Sequence, residues 1–470
     1  MNSPDGRERH ALTTASTPTT ASTVATSAWW RLWAVAAIAH VVGNPSYGSI
    51  SSAPELRGVV NVAVGLVAVH VVGRPDDRRA RWLLAVGVIA SAWFEAPLLG
   101  NHWLLAALVS GAALAAGPRH DDAEWWARFT PTARVILLAF YSFAAFAKLN
   151  TGFFDSVESC AVHFTNLALS FWRLPEVAVG SGPAGVVPLV TAAIELSVPI
   201  LLLVRRTRRI GVLVAVGFHV VVSLDLPRHF YDFTSVLLPL FLLFAPVGVL
   251  TTIDRRLSRW NVAAGAPWYV LASGCVVVTA LPRRGFALDL LDAIAWPAWL
   301  GFAGVVTWTV FRTAWTPRRV DLRPVGLGWL VVGLVVLNGL SPYLELKTAT
   351  GFNMYANLVT GPEESNHLIV RSTLGLRSDH DDLAIVLDGD PRGLGSYVDS
   401  GFALPMTNLR DHLAARDEDV VFELDGEVVR SADDPTLARA QPWWQEKLFL
   451  LRAVPLGEVP ACQPVWFPAR

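Results

Sequence analysis

Apolar residues in this chain run in long blocks, not in the alternating or one-faced patterns of a soluble domain. Eleven blocks stand out, at 28–45, 56–73, 82–98, 101–117, 131–149, 184–204, 208–224, 233–250, 267–282, 292–313 and 325–341. Each approaches or exceeds the length that crosses a hydrocarbon core of roughly 30 Å. Several are short, so the pattern predicts an all-α polytopic membrane bundle of about 9–11 transmembrane helices over residues 28–341. Residues 1–27 are rich in Ser, Thr and Ala without periodicity and read as a disordered cytoplasmic tail, not a signal peptide.

After residue 341 the pattern changes. Leu383-Ala384-Ile385-Val386-Leu387 and Val420-Val421-Phe422-Glu423-Leu424 are strand-like, and Asp425-Gly426 followed by Glu427-Val428-Val429 signals a hairpin. Residues 342–470 are therefore expected to form a small β-rich extracytoplasmic domain.

Composition agrees with a membrane protein: 53% of residues are hydrophobic, 16% are charged and 19 are Trp. A net charge of −1, with no basic cluster beside interleaved aromatics, excludes nucleic acid as a partner. The arginines set the orientation. Arg74, Arg78, Arg79 and Arg81, then Arg119, Arg128 and Arg134, then Arg205, Arg206, Arg208 and Arg209 occupy every second connection. Arg255, Arg256 and Arg259, with Arg312, Arg318, Arg319 and Arg323, continue the alternation, and Arg7 and Arg9 join the same side. Such a bias places the amino terminus in the cytoplasm and, with an odd number of crossings, residues 342–470 outside.

On that orientation the polar residues of the bundle are lopsided. His40, Glu95, His102, Lys148, His219 and Asp225 fall in the outer half or at its edge, with Asn150, His229, Tyr231 and Asp232 just beyond, whereas His70 sits at the inner end. Intramembrane polar groups face a bundle interior or a wet cavity, so the set predicts a pocket open toward the outer leaflet. A translocation path would need polar groups through the whole thickness, which argues against transport. Lys148 is the most informative member, because only Lys148, Lys347 and Lys447 are lysines among 38 basic residues. A snorkelling lysine at a helix end is the plain alternative. A neutral amine in an apolar pocket is instead a competent base toward a weakly acidic hydroxyl. Glu195, midway along its span, needs a cation or a proton, and Pro188 and Pro199 on its face predict a distorted helix. Cys160 and Cys462 both fall outside, where a bridge between them or two separate thiols are equally open readings. No metal site or phosphate loop is expected.

The run Phe140-Tyr141-Ser142-Phe143-Ala144-Ala145-Phe146-Ala147-Lys148-Leu149-Asn150 resembles the Lys-Leu-Asn/Asp segment of the HTTM family, the transmembrane domain shared with vitamin K-dependent γ-carboxylases. Ile194-Glu195-Leu196-Ser197-Val198-Pro199, Gly217-Phe218-His219 and the Phe233 to Phe244 span follow that family's order of features, and Phe352-Asn353-Met354-Tyr355 and Ser365-Asn366-His367-Leu368 resemble a segment of its bacterial members. The resemblance covers about residues 28–375 and implies a lysine that deprotonates reduced vitamin K or menaquinone. The oxygen-driven step that follows makes a strong base, and a peptide glutamate is then carboxylated. It places Lys148 as the catalytic base, with His219 and Glu195 shaping the site; Tyr141 on the same helix face and Asn150, Glu95 and His40 of the outer polar set are the candidate cofactor-binding residues. Ala147 stands where animal members carry a second lysine, and 342–470 is shorter than their luminal region. Implied partners are a membrane quinone or lipid and a secreted peptide. The competing expectation is a non-catalytic factor for maturation or export of a secreted peptide or toxin, built on the same membrane domain.

Overall fold

The computed structural model describes residues 18–43, 54–97, 99–279, 286–316, 319–361, 364–376, 382–416 and 418–463. Within them the chain is mostly helical, with a small antiparallel sheet near the carboxyl end. The apolar blocks fall largely on helices: α1 (Pro18–Gly43), α2 (Pro54–Gly73), α3 (Arg78–Glu95), α4 (Asn101–Ala115) and α5 (Asp122–Ala147) come first. After α6 (Cys160–Phe171) follow α7 (Gly182–Leu203), α8 (Arg208–Val222), α9 (Phe230–Phe241), α10 (Val247–Val278), α11 (Phe286–Arg312) and α12 (Gly328–Leu340).

Among the described residues four helices are long and apolar enough to cross a membrane by length and composition, over Leu56–Gly73, Asp122–Ala147, Gly182–Leu203 and Leu290–Arg312. Others are short or interrupted. The backbone of α10 breaks at Gly265, whose φ of 54° ends one helical run before another begins at the following residues. Side-chain caps fix several starts. Asp77 accepts from the amides of Arg79 and Ala80, and Asp121 from those of Ala123 and Glu124, satisfying donors that the first helical turn leaves open.

The bundle is organised around α1, which packs against α2, α5, α9 and α10. Close approach of apolar helices needs small side chains where they meet. Ala28, Ala34, Ala36 and Ala37 on α1 are buried and small enough for that. Trp29, Trp30 and Trp33 fill the remaining space, with Trp29 stacked on Trp33 at 5.0 Å and Trp30 on Trp125 at 5.4 Å. Gly339 of α12 lies so near α5 that a Cβ there would come within 2.2 Å of the Phe143 ring.

Three expectations change. Helix α1 begins at Pro18, so residues 18–27 belong to it and not to a disordered tail; residues 1–17 lie outside the described residues, as do Arg283, Arg284 and Arg318. The long connection 150–183 contains α6, an apolar helix of 12 residues that is too short to register as a crossing. The carboxyl-terminal region is only partly β. Its sheet runs in the order β4-β3-β1-β2-β5, from β1 (Leu383–Asp388), β2 (Phe402–Pro405), β3 (Val421–Leu424), β4 (Glu427–Arg430) and β5 (Val454–Pro455), all paired antiparallel. Helix α13 (Met406–Ala415) packs on it through Leu409, against Ala384, Val386, Leu404 and Phe422. The expected hairpin is β3–β4, turning at Asp425 and Gly426 with φ of 52° and 83°.

Residues 341–361 and 364–376 are irregular and bond to both parts. Phe352 N donates to Asn101 Oδ1 at the mouth of α4, while the Ala349 amide donates to the Leu450 carbonyl of the sheet unit. A Cys160–Cys462 disulfide ties the end of the chain to the start of α6, with Cα atoms 4.8 Å apart. Lys447 adds hydrogen bonds of 3.1 Å to the carbonyls of Trp93 and Ala96 at the end of α3.

Candidate functional site

Four of the seven sequence-predicted residues meet in one cavity of about 490 Å³, lined by Tyr141, Lys148, Glu195 and His219. Its volume falls within the usual range for small-molecule sites, about 300–1,000 Å³. Lys148 caps the end of α5, and its Nζ lies 2.8 Å from Glu195 Oε2 on α7. Their side chains retain only 9% and 12% of their exposure. The amine also donates to the Ala144 carbonyl at 3.3 Å and stands 5.8 Å from the centre of the Phe153 ring. Sequence reading left Glu195 in need of a cation or a proton; Lys148 is the basic side chain that stands beside it. The lone neutral lysine that the sequence suggested is thus half of a carboxylate pair.

Tyr141, two turns before Lys148 on α5, shares a hydrogen bond of 3.0 Å with His219 Nε2 of α8. His219 Nδ1 is buried and has no hydrogen-bond partner among the described residues. Backbone support comes from Thr234, whose hydroxyl donates to the His219 carbonyl at 2.9 Å. The remaining wall is apolar, with rings from Phe140, Phe153, Phe218, Phe233 and Phe352 among aliphatic side chains such as Leu169, Ile194 and Val222. At one end of the cavity, Phe164 of α6 packs against Phe230 at 5.2 Å and Tyr355 at 4.4 Å. Asp225 also lines the cavity, with Oδ1 toward Arg228 at 3.3 Å and Oδ2 buried without a partner among the described residues.

Exposed apolar side chains continue the cavity outward between α6, α7 and α8. Trp172, Leu174, Val190 and Val221 line it and are all exposed. The opening therefore lies between these three helices and is rimmed by apolar side chains.

Three candidates do not join this site. Asn150 is fully buried as a strut: its Nδ2 donates to the Ala147 and Ala356 carbonyls, and its Oδ1 accepts from Phe153 N and Asn366 Nδ2. A side chain with every polar atom committed to backbone and neighbour has nothing left for a ligand. His40 and Glu95 belong to a second polar cluster with His102 and Asp232, and neither lines the cavity. The Phe233 ring stands between the two groups, 5.8 Å from the His102 ring and 5.1 Å from that of His219. Depth along a helix is readable from sequence, but the direction a side chain faces around it is not, which is why both clusters looked like one. The roof from α6 was the part sequence reading left out of the site; Asp225, counted there in the outer polar set, was given no role of its own.

Comparison with known protein families, curated proteins and solved structures gives no match to this chain.

Proposed function

We propose that this is a bacterial integral membrane protein that binds a reduced naphthoquinone, of the menaquinone or vitamin K type, and takes a hydroxyl proton from it through Lys148 and Glu195. The observation that carries the reading is the convergence of a buried Lys–Glu pair and a Tyr–His pair inside one apolar-walled cavity. Eleven crossings fit the sequence blocks: α1 to α5, α7 to α9, the second half of α10, α11 and α12. The arginine-rich connections then lie on the cytoplasmic side and the sheet unit on the outer one.

The walls suit a flat bicyclic ring, and the apolar-rimmed opening suits a ligand that arrives through the bilayer with an apolar tail. When bound, a reduced naphthoquinone supplies two weakly acidic hydroxyls and a ring that dioxygen can oxidise once it is deprotonated. Glu195, 2.8 Å from Lys148, is placed to take the proton of the amine, and a neutral amine would accept the hydroxyl proton. If His219 Nε2 donates to Tyr141 Oη, the phenol proton is free to point at the ligand and hold it in register. On this reading a secreted peptide acceptor for carboxylation would approach from the outer side, past α6 and residues 352–355.

Binding is tested with the full chain in nanodiscs, using quenching of tryptophan fluorescence by menaquinone. Saturable quenching that is lost when Ala144→Trp and Ala168→Trp fill the cavity supports the reading. Equal quenching by wild type and both cavity-filling variants contradicts it. A non-catalytic maturation factor would keep its cellular role in Lys148→Arg, whereas a base must lose it, since arginine stays protonated in proteins.

A further inference from the structure

The second polar cluster has the form of a metal centre. His40 of α1, His102 of α4 and Asp232 of α9 come from three distant parts of the chain and converge. His40 Nδ1 and His102 Nε2 each lie 2.8 Å from the same oxygen, Asp232 Oδ2. On its other side His40 Nε2 meets the Glu95 carboxylate of α3 at 3.0 and 3.2 Å. We propose that His40, His102 and Asp232 bind one divalent transition-metal ion of the zinc class, with Glu95 orienting His40 from behind.

Geometry leads there. His40 offers Nδ1 to Asp232 Oδ2 and Nε2 to Glu95, and His102 brings Nε2 to the same Asp232 oxygen from another helix, so three atoms of the kinds that ligate a transition metal face one point. Imidazole bound to metal through one nitrogen and to carboxylate through the other is the recurrent outer arrangement of such sites, because it fixes the tautomer and raises the ligand's basicity.

The surroundings are built to hold that geometry. The His40 ring is stacked on Trp103, 3.5 Å between centroids and 12° from parallel. Trp103 Nε1 donates to Ser91 Oγ at 2.9 Å, Ser91 Oγ to Asn61 Oδ1 at 2.7 Å, and Asn61 Nδ2 to Glu95 Oε1 at 3.1 Å. Asp232 Oδ1 is buried with no partner among the described residues, so the carboxylate has a second oxygen to offer. The three ligand atoms lie within 4.8 Å of one another. Metal–ligand bonds of about 2.0–2.2 Å in tetrahedral geometry put ligands roughly 3.4 Å apart, which a small rotation of Asp232 provides.

Two imidazoles and one carboxylate suit a borderline ion such as Zn²⁺ better than the all-oxygen shells of Ca²⁺ or Mg²⁺. The role is structural: the ion would pin α1, α4 and α9 together beside the cavity, because Asn101 and Phe233, next to His102 and Asp232 in sequence, both line it. None of Tyr141, Lys148, Glu195 or His219 takes part, so the inference stands or falls apart from the quinol reading.

The test uses the full chain in detergent, with any affinity tag removed. Zinc content is measured by mass spectrometry after gel filtration, and Co²⁺ reconstitution is followed by visible absorption. Expected are one ion per chain, cobalt bands of nitrogen and oxygen ligation, and a melting temperature raised by Zn²⁺. His102→Gln and Asp232→Asn should lose the ion and the shift, while Lys148→Ala keeps both. A monodisperse wild type that takes up neither Zn²⁺ nor Co²⁺ overturns the proposal and leaves the cluster holding a proton. Unchanged uptake by both cluster variants overturns it too. If those variants do not fold, the wild-type stoichiometry and cobalt spectrum decide alone.

Discussion

Lys148 and Glu195 meet across α5 and α7 with Nζ and Oε2 2.8 Å apart, and both side chains are nearly buried. Removing one partner leaves the other charge uncompensated in a low-dielectric site, at a cost of about 3–5 kcal/mol, whereas replacing both with apolar groups is close to neutral. Lys148→Met and Glu195→Leu are therefore expected to lower the melting temperature singly and to be largely restored together. A double-mutant cycle in detergent checks this, and simple additivity of the two losses would count against a coupled pair.

Tyr141→Phe removes one hydrogen bond to His219 and nothing else of comparable size. The expected stability loss is about 1 kcal/mol. The effect on quinone binding should be larger than on melting temperature, because the phenol is placed to touch the ligand. Titration by fluorescence quenching and thermal unfolding of the same sample separate the two effects. An affinity equal to wild type would remove Tyr141 from the site.

The pair at Lys148 shows what sequence could and could not yield. The apolar blocks made the helices legible, because a run of 16 or more apolar residues has few other uses. Lysine scarcity singled out Lys148, and mid-span position singled out Glu195. That the two touch depends on how α5 and α7 are rotated, which a period of 3.6 residues does not reveal when a helix is apolar all round. The same blindness merged His40 and Glu95 with the cavity and hid Phe233 as the wall between. Helix α6 escaped because His163, Thr165, Asn166 and Ser170 break its apolar run. The hairpin at Asp425-Gly426 was legible because left-handed positions in a two-residue turn demand those residue types.

Cys160 and Cys462 close a loop across 302 residues of sequence. Loss of such a bridge costs about 2–5 kcal/mol in small secreted domains. The double substitution Cys160→Ser with Cys462→Ser is expected to loosen the carboxyl-terminal segment from α6 first. Limited proteolysis should release fragments from the end of the chain faster than in wild type, and peptide mapping without reductant should show the linked pair. Free thiols at both positions in protein from an oxidising compartment would contradict the structure.

Lys347, beyond the end of α12, is pushed down to about 8 by burial and donates to Thr350 Oγ1 at 3.2 Å. The unfolded chain, with an ordinary lysine, binds more protons than the folded one between about pH 8 and 10.5, so stability rises with pH through that window. Lys347→Met is expected to raise the melting temperature at pH 7, and the advantage should shrink as pH increases through 8 toward 10.5. An advantage independent of pH would mean that the amine is not desolvated.

The central claim is that Lys148 is a base acting on a reduced naphthoquinone. It is tested most directly by supplying reduced menaquinone and oxygen to the purified protein in nanodiscs and measuring quinone epoxide by mass spectrometry. Wild type should form epoxide, while Lys148→Ala and Lys148→Arg, checked for folding and for quinone binding, should form none. Equal product from all three, or none from a folded wild type that binds quinone, would contradict the account.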